Sequence, residues 1–249
     1  MKAQIEEFKQ HALKSYNADL EALMNHVLEL GGLVEKQLDT AVQAMQSASV
    51  DKAQAARQLD RLINEVEQNT DQAAIRILAR HQPAASDLRL IVSSLRIGID
   101  LERIGDEVVK LARMVERFDR YGEVCVQLKA YPKFYELVEM ARVMLKKALD
   151  AYARLDMQTA VELLEDEEKA DAIYDEVMNI VIEDFNGQAQ KDVRCFLEFV
   201  SAIKAVERAT DHLANVGESV IYVINGRDVR SADHDMIESL RAQLERDED

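Results

Sequence analysis

What this chain of 249 residues lacks narrows its fold before any motif is read. It holds only 8 glycines and 2 prolines, against average usage of about 7% and 5%, so few positions instruct the backbone to turn tightly. A β-sandwich or barrel needs many such positions and is disfavoured on that ground. Aromatics make up 5% of the residues and tryptophan is absent, whereas the strong helix formers Ala, Leu, Glu, Gln, Lys and Arg abound. Basic charge is also short: 31 Lys and Arg face 47 Asp and Glu, a net charge of -16. Nucleic-acid affinity rests mainly on neutralised phosphates, so no direct nucleic-acid partner is expected. The acidity suits cations, basic patches on other proteins, or solubility alone.

Cysteine and long apolar runs are scarce too. Cys125 and Cys195 stand far apart, with no C-x-x-C pair, a usage that points to a reducing compartment. Met1 to Glu7 lack the basic start and apolar stretch of a signal peptide, and the longest strongly apolar run, Val220 to Ile224, is too short to cross a bilayer. The expectation is a cytoplasmic chain without membrane insertion. With 48% hydrophobic residues it can bury a core, and its length allows one or two domains.

What is present is a unit written twice. Leu38, Asp39, Asp60, Glu65 and Val66 reappear as Leu149, Asp150, Asp171, Glu176 and Val177 at an offset of 111; Asp87, Arg89, Glu102, Arg103 and Asp106 reappear as Asp192, Arg194, Glu207, Arg208 and Asp211 at an offset of 105. A constant offset on each side of one deletion marks an internal repeat. Apolar residues at three-four spacing predict helices over about 20–47, 51–81, 86–118, 131–155, 159–185 and 192–224, with Ser86 as the N-cap of the third and Asp119 to Gly122 as the loop between repeats. Gly31 and Gly32 fall inside the first helix, allowing a bend or a close helix approach. The fold class expected is all-α: two tandem three-helix bundles over 15–120 and 125–226, followed by an acidic tail over 227–249 with a short helix from Asp233.

No phosphate-cradling loop, dinucleotide fingerprint, nucleophile elbow or zinc-protease motif occurs, and no histidine has a Glu three residues before it. Acid at helical spacing does occur. Glu102 with Asp106, and Glu207 with Asp211, place two carboxylates on one helix face, where like charges repel and ask for a cation. Arg103 and Arg208 are one source of it, a metal ion another. The preceding helix of each copy offers matching acids: Asp60, Asn64, Glu67 and Asp71 in the first, Asp171 and Asp175 in the second. If these rows face each other, the oxygens suit Mg, Mn, Ca or ferric iron more than Zn. Lys110 and Arg113 stand in the first copy where the second has Asn215 and Glu218, so unequal metal binding is expected. Against this, charged rows on long helices are most often solvated faces or intrahelical ion pairs. His212, about 100° around the helix from Asp211, is not counted as a ligand. Met24, Met45, Met114, Met140, Met144 and Met178 fall among apolar positions as core filler.

At these residues the sequence resembles the PhoU family of phosphate-responsive regulators. The resemblance is carried by the segments Leu101-Glu102-Arg103-Ile104-Gly105-Asp106 and Val206-Glu207-Arg208-Ala209-Thr210-Asp211, by the block Gln82 to Arg89, and by Met24 to Leu38, and it extends over about 19–230. It implies a helical, frequently dimeric, non-enzymatic adaptor that binds divalent or ferric ions (Mg, Mn, Fe or Zn). It further implies negative regulation, through a phosphate ABC transporter's ATPase subunit and a sensor histidine kinase, of phosphate uptake and the phosphate-starvation response. The metal-binding role carries over to Glu102, Asp106, Glu207 and Asp211, and by position to Asp60 and Asp171. Two alternatives use the same carboxylates: a metal-dependent hydrolase of phosphate esters, and a purely structural acidic bundle.

Overall fold

The computed structural model describes residues 2–122, 128–186 and 193–229, with the side chains of 2–13 and 186 excepted. Six helices account for nearly all of them: α1 (Lys2–Ser47), α2 (Val50–His81), α3 (Ala85–Tyr121), α4 (Tyr131–Arg154), α5 (Met157–Asn186) and α6 (Val193–Asn225). No strand occurs among the described residues, in keeping with the shortage of turn and strand formers. The helix expected from Asp233 lies outside them.

The helix ends show how a glycine-poor chain turns. Ser49 caps α2, its hydroxyl accepting from the Lys52 amide, and Asp156 caps α5, its carboxylate accepting from the amides of Gln158 at 3.0 Å and Thr159 at 3.4 Å. Pro132 sits in the first turn of α4, where its missing N–H costs nothing. Three turn residues with side chains, Ala48, Gln82 and Leu155, and the first residue of α3, Ala85, adopt positive φ where glycine is the usual occupant.

Three expected boundaries need correction. α1 starts at Lys2 instead of Leu20, because Glu, Ala, Lys and Gln sustain helix where no apolar stripe is visible. α3 starts at Ala85, with Ala84 as a cap that makes no side-chain bond, so Ser86 is inside the helix. The expected loop from Asp119 is the last turn of α3, which runs through Tyr121 and is capped by Gly122 at φ 82. Cys195 is buried and disulfide-bonded, contrary to the thiol usage read from the spacing; Cys125, the chain's other cysteine, lies outside the described residues.

Each repeat forms a three-helix bundle, and the two share one hydrophobic core. Helices α1, α3, α4 and α6 form its central layer, with α2 against α1 and α3 on one flank and α5 against α4 and α6 on the other. Met45, Met114 and Met144 are buried in it, while Met24, Met140 and Met178 pack against its edge. The most extensive contact joins α3 to α6, which run antiparallel. Arg89 near the start of α3 donates to the Val223 carbonyl near the end of α6, and Arg194 near the start of α6 lies over the Tyr121 ring at the end of α3. Gly31 serves close approach: a Cβ there would stand 2.1 Å from Leu149 Cδ2, so it lets α1 lie against α4.

Candidate metal centre

The acidic rows line two seams, between α2 and α3 and between α5 and α6. Both are flanks of the molecule, since α2 and α5 are the outer helices. Burial there is partial: Asp60, Glu67, Glu102, Glu167, Glu207 and Asp211 are half-buried, Asp106 and Asp171 exposed. Carboxylates in that position keep some water yet lose enough of it to resist ionisation.

In the second repeat, Glu167 and Asp171 on α5 and Asp211 on α6 each offer a carboxylate oxygen, and these oxygens all lie within 4.8 Å of one another. A hard cation with oxygens about 2.0 to 2.6 Å away spans such separations, so the donor set fits Mg, Mn, Ca or ferric iron. The set has no thiolate or imidazole, which makes zinc the poorer match. The Glu167 carboxyl is held above the usual range by desolvation, then by Asp171, Asp211 and Glu168. Desolvation and then Asp171 raise Asp211, with His212 and Arg208 acting against it. Glu207, beside the group, is raised by desolvation and then by Asp211 and Asp171. Clustered acids that resist ionisation would be relieved by a nearby positive charge, so the group could hold a cation.

The first repeat is arranged differently. Glu102 on α3 is raised by desolvation and then by Asp106, Glu67 and Asp60, so the two rows do face each other. Among the described residues, however, no three of its acids approach as closely as those of the second repeat. Desolvation and then Asp106 raise Asp60, while the charges of Arg113 and Arg57 act against them, so positive charge built into the chain already reaches this seam. Arg57 is itself held by the buried Glu116 at 2.9 and 3.0 Å.

Of the residues singled out in the sequence, Asp171 and Asp211 meet across a seam with Glu207 beside them, while Asp60, Glu102 and Asp106 share a looser and partly neutralised one. Glu167 was missed. It sits four residues before Asp171, continuing the row by one turn, but its counterpart in the first copy is the buried Ala56, so it is not among the acids that the two copies share. His212 is satisfied elsewhere: its Nδ1 lies 3.0 Å from Asp100 Oδ1 on α3.

Comparison with known proteins follows the same lines. A family model described as the PhoU domain matches residues 27–115 and again 134–220. A phosphate-specific transport system accessory protein PhoU homolog from Pseudomonas putida is 39% identical over 229 residues, covering 90% of this chain and 86% of the relative. The phosphate-specific transport system accessory protein PhoU of Escherichia coli strain K12 is 31% identical over 245 residues, covering 95% and 96%. The crystal structure of PhoU from Pseudomonas aeruginosa superposes with a TM-score of 0.81 at 38% identity, covering 85% of this chain and 100% of that one. Two domain matches spanning most of the length, together with these relatives, place the chain in the PhoU family.

Proposed function

We propose that this chain is a non-enzymatic accessory protein of phosphate transport. In this reading it acts in the cytoplasm as a negative regulator of phosphate uptake and of the phosphate-starvation response. The accessory role is the one named for its relatives from Pseudomonas putida and Escherichia coli. Units 15–120 and 125–226 serve as its two modules, with 227–249 as a tail, and a homodimer is the assembly proposed. The partners are the ATPase subunit of a phosphate ABC transporter and a sensor histidine kinase. No helix of the described residues is long and apolar enough to cross a membrane; contact with the transporter through its ATPase subunit is part of the proposal.

The observation that carries the chemical part is the triad of Glu167, Asp171 and Asp211. A bound divalent or ferric ion supplies neutralising charge at this seam. Glu167 and Asp171 present oxygens from α5 and Asp211 from α6, so the seam closes only when both helices keep their register. Glu207 adds negative potential beside them, and in the first repeat Asp60, Glu102 and Asp106 form the weaker counterpart.

Elemental analysis of protein purified without added metal tests the site. Replacing Glu102, Asp106, Glu207 and Asp211 together by alanine is expected to strip the metal and to weaken capture by the transporter's ATPase subunit. Equal metal in both proteins contradicts the assignment. Chelator-sensitive hydrolysis of a generic phosphate ester would turn the reading toward a hydrolase.

A further inference from the structure

Several ion pairs join the two repeats, and one of them, between Arg208 and Glu107, lies at the middle of the α3–α6 seam. Glu107 follows Asp106 on α3, and Arg208 follows Glu207 on α6. Arg208 donates to Glu107 twice, from Nε to Oε1 at 3.1 Å and from Nη2 to Oε2 at 2.9 Å, a two-point geometry that fixes the guanidinium plane. The Glu107 side chain is 10% exposed and also accepts from Lys110 Nζ at 2.7 and 2.8 Å.

The repeat would place a mirror pair between Arg103 and residue 212, but it does not form. Residue 212 is a histidine, and it turns to Asp100, which also accepts from Asn215. Arg103 stays exposed, makes no hydrogen bond or ion pair among the described residues, and spends its charge on Glu102 of its own motif. The same option is open to Arg208. Asp211 lies three residues on, a spacing that carries an ion pair elsewhere in this chain, from Lys133 to Glu136 at 2.9 Å. Even from its present position the Arg208 charge acts on Glu207 and Asp211.

We infer that Glu107 is a positioning residue for the second seam: it holds the Arg208 guanidinium across to the first repeat and so keeps Glu167, Asp171 and Asp211 open to a divalent cation. A guanidinium folded onto Asp211 would occupy a ligand and repel the incoming ion. The first repeat has no such clamp on Arg103, which matches its looser set of acids. This inference rests on the metal reading above and extends it by naming a residue that adds to the inequality of the two repeats.

The test uses the full chain stripped with chelator and titrated with Mn2+, free ion being counted by electron paramagnetic resonance. Glu107→Gln is expected to weaken Mn2+ binding by about tenfold, the scale seen for residues that orient metal ligands. Adding Arg208→Gln to it is expected to return the affinity to the wild-type value or better, since the released competitor is gone. Both variants lose the same inter-repeat pair, so a merely structural role predicts an equal loss in both. That equal loss, or a Glu107→Gln variant that binds like wild type, overturns the inference while leaving the metal site standing. Wild-type protein that takes up no Mn2+ overturns the metal reading, and this inference with it.

Discussion

Gly217 sets how closely α5 and α6 can approach. A Cβ at this position would stand 2.9 Å from the Ala160 carbonyl oxygen and 3.2 Å from Leu163 Cβ, and the carbonyl is backbone that cannot swing aside. Gly217→Ala is therefore expected to cost about 1 to 3 kcal/mol of stability by overpacking. Gly32 faces open space, and Gly32→Ala in the same helical setting is expected to add about 1 kcal/mol. Opposite shifts of the urea midpoint in these two variants check the assignment; shifts of the same sign contradict it. Gln37 shows a different kind of strain. It sits on α1, fully buried near Gly105 of α3 and Ile63 of α2, and among the described residues neither its amide oxygen nor its amide nitrogen has a hydrogen-bond partner. A buried polar group without a partner costs about 1 to 3 kcal/mol, so Gln37→Met, which keeps the length and removes the dipole, should raise the unfolding free energy by that order. An unchanged or lower value would show that the amide is satisfied in solution.

At the scale of helices and turns, the shortage of glycine has a cost that can be measured. Ala48, between α1 and α2, sits at φ 46, and an L residue in that region costs roughly 1 kcal/mol relative to glycine. Ala48→Gly is expected to raise the melting temperature; a lower value would mean the turn relaxes out of the left-handed region. The acidic seams carry a pH dependence of definite sign. Burial, reinforced by neighbouring acids, holds Asp60, Glu102, Glu167, Asp171, Glu207 and Asp211 above the ordinary carboxyl range, although Arg113 and Arg57 act against this at Asp60. The folded state then binds more protons than the unfolded chain from about pH 4 upward, so stability falls as pH rises through that window. Asp156 and Asp166 run the other way. The Thr159 hydroxyl lowers Asp156; at Asp166 burial acts upward, but Lys147 and Lys169 more than offset it, and these contributions are lost only below about pH 4. Metal-free protein is therefore expected to melt at a higher temperature at about pH 4.5 than at about pH 7.5, with added Mn2+ narrowing the gap. A gap of the opposite sign contradicts the clustering.

Much of this element scale was legible in the sequence, because helical spacing and acid spacing obey the same 3.6-residue geometry. The rows containing Asp60, Glu102, Asp171 and Asp211 could be seen before any coordinates, and so could the positive charge of Arg113 beside the first row; Lys110 instead pairs with Glu107. Three things could not. The start of α1 was hidden because exposed helix carries no apolar stripe. Glu167 was hidden because its repeat counterpart is Ala56. The partners of Glu107 and Asp100 were hidden because they lie more than a hundred residues away, across a seam that no local spacing reports.

For the whole molecule, what matters is that two nearly equivalent modules share one core yet carry unequal flanks. The α5–α6 flank offers three converging carboxylates, while the α2–α3 flank is partly neutralised by Arg57 and Arg113. A chain of net charge -16 gains most from a cation where its acids are closest together. The most direct test is an anomalous diffraction map from crystals of the full chain soaked in Mn2+. A peak bounded by Glu167, Asp171 and Asp211, stronger than any at the α2–α3 seam, is expected. A map with no peak between α5 and α6, or with its strongest peak against Asp60 and Asp106, would contradict the assignment.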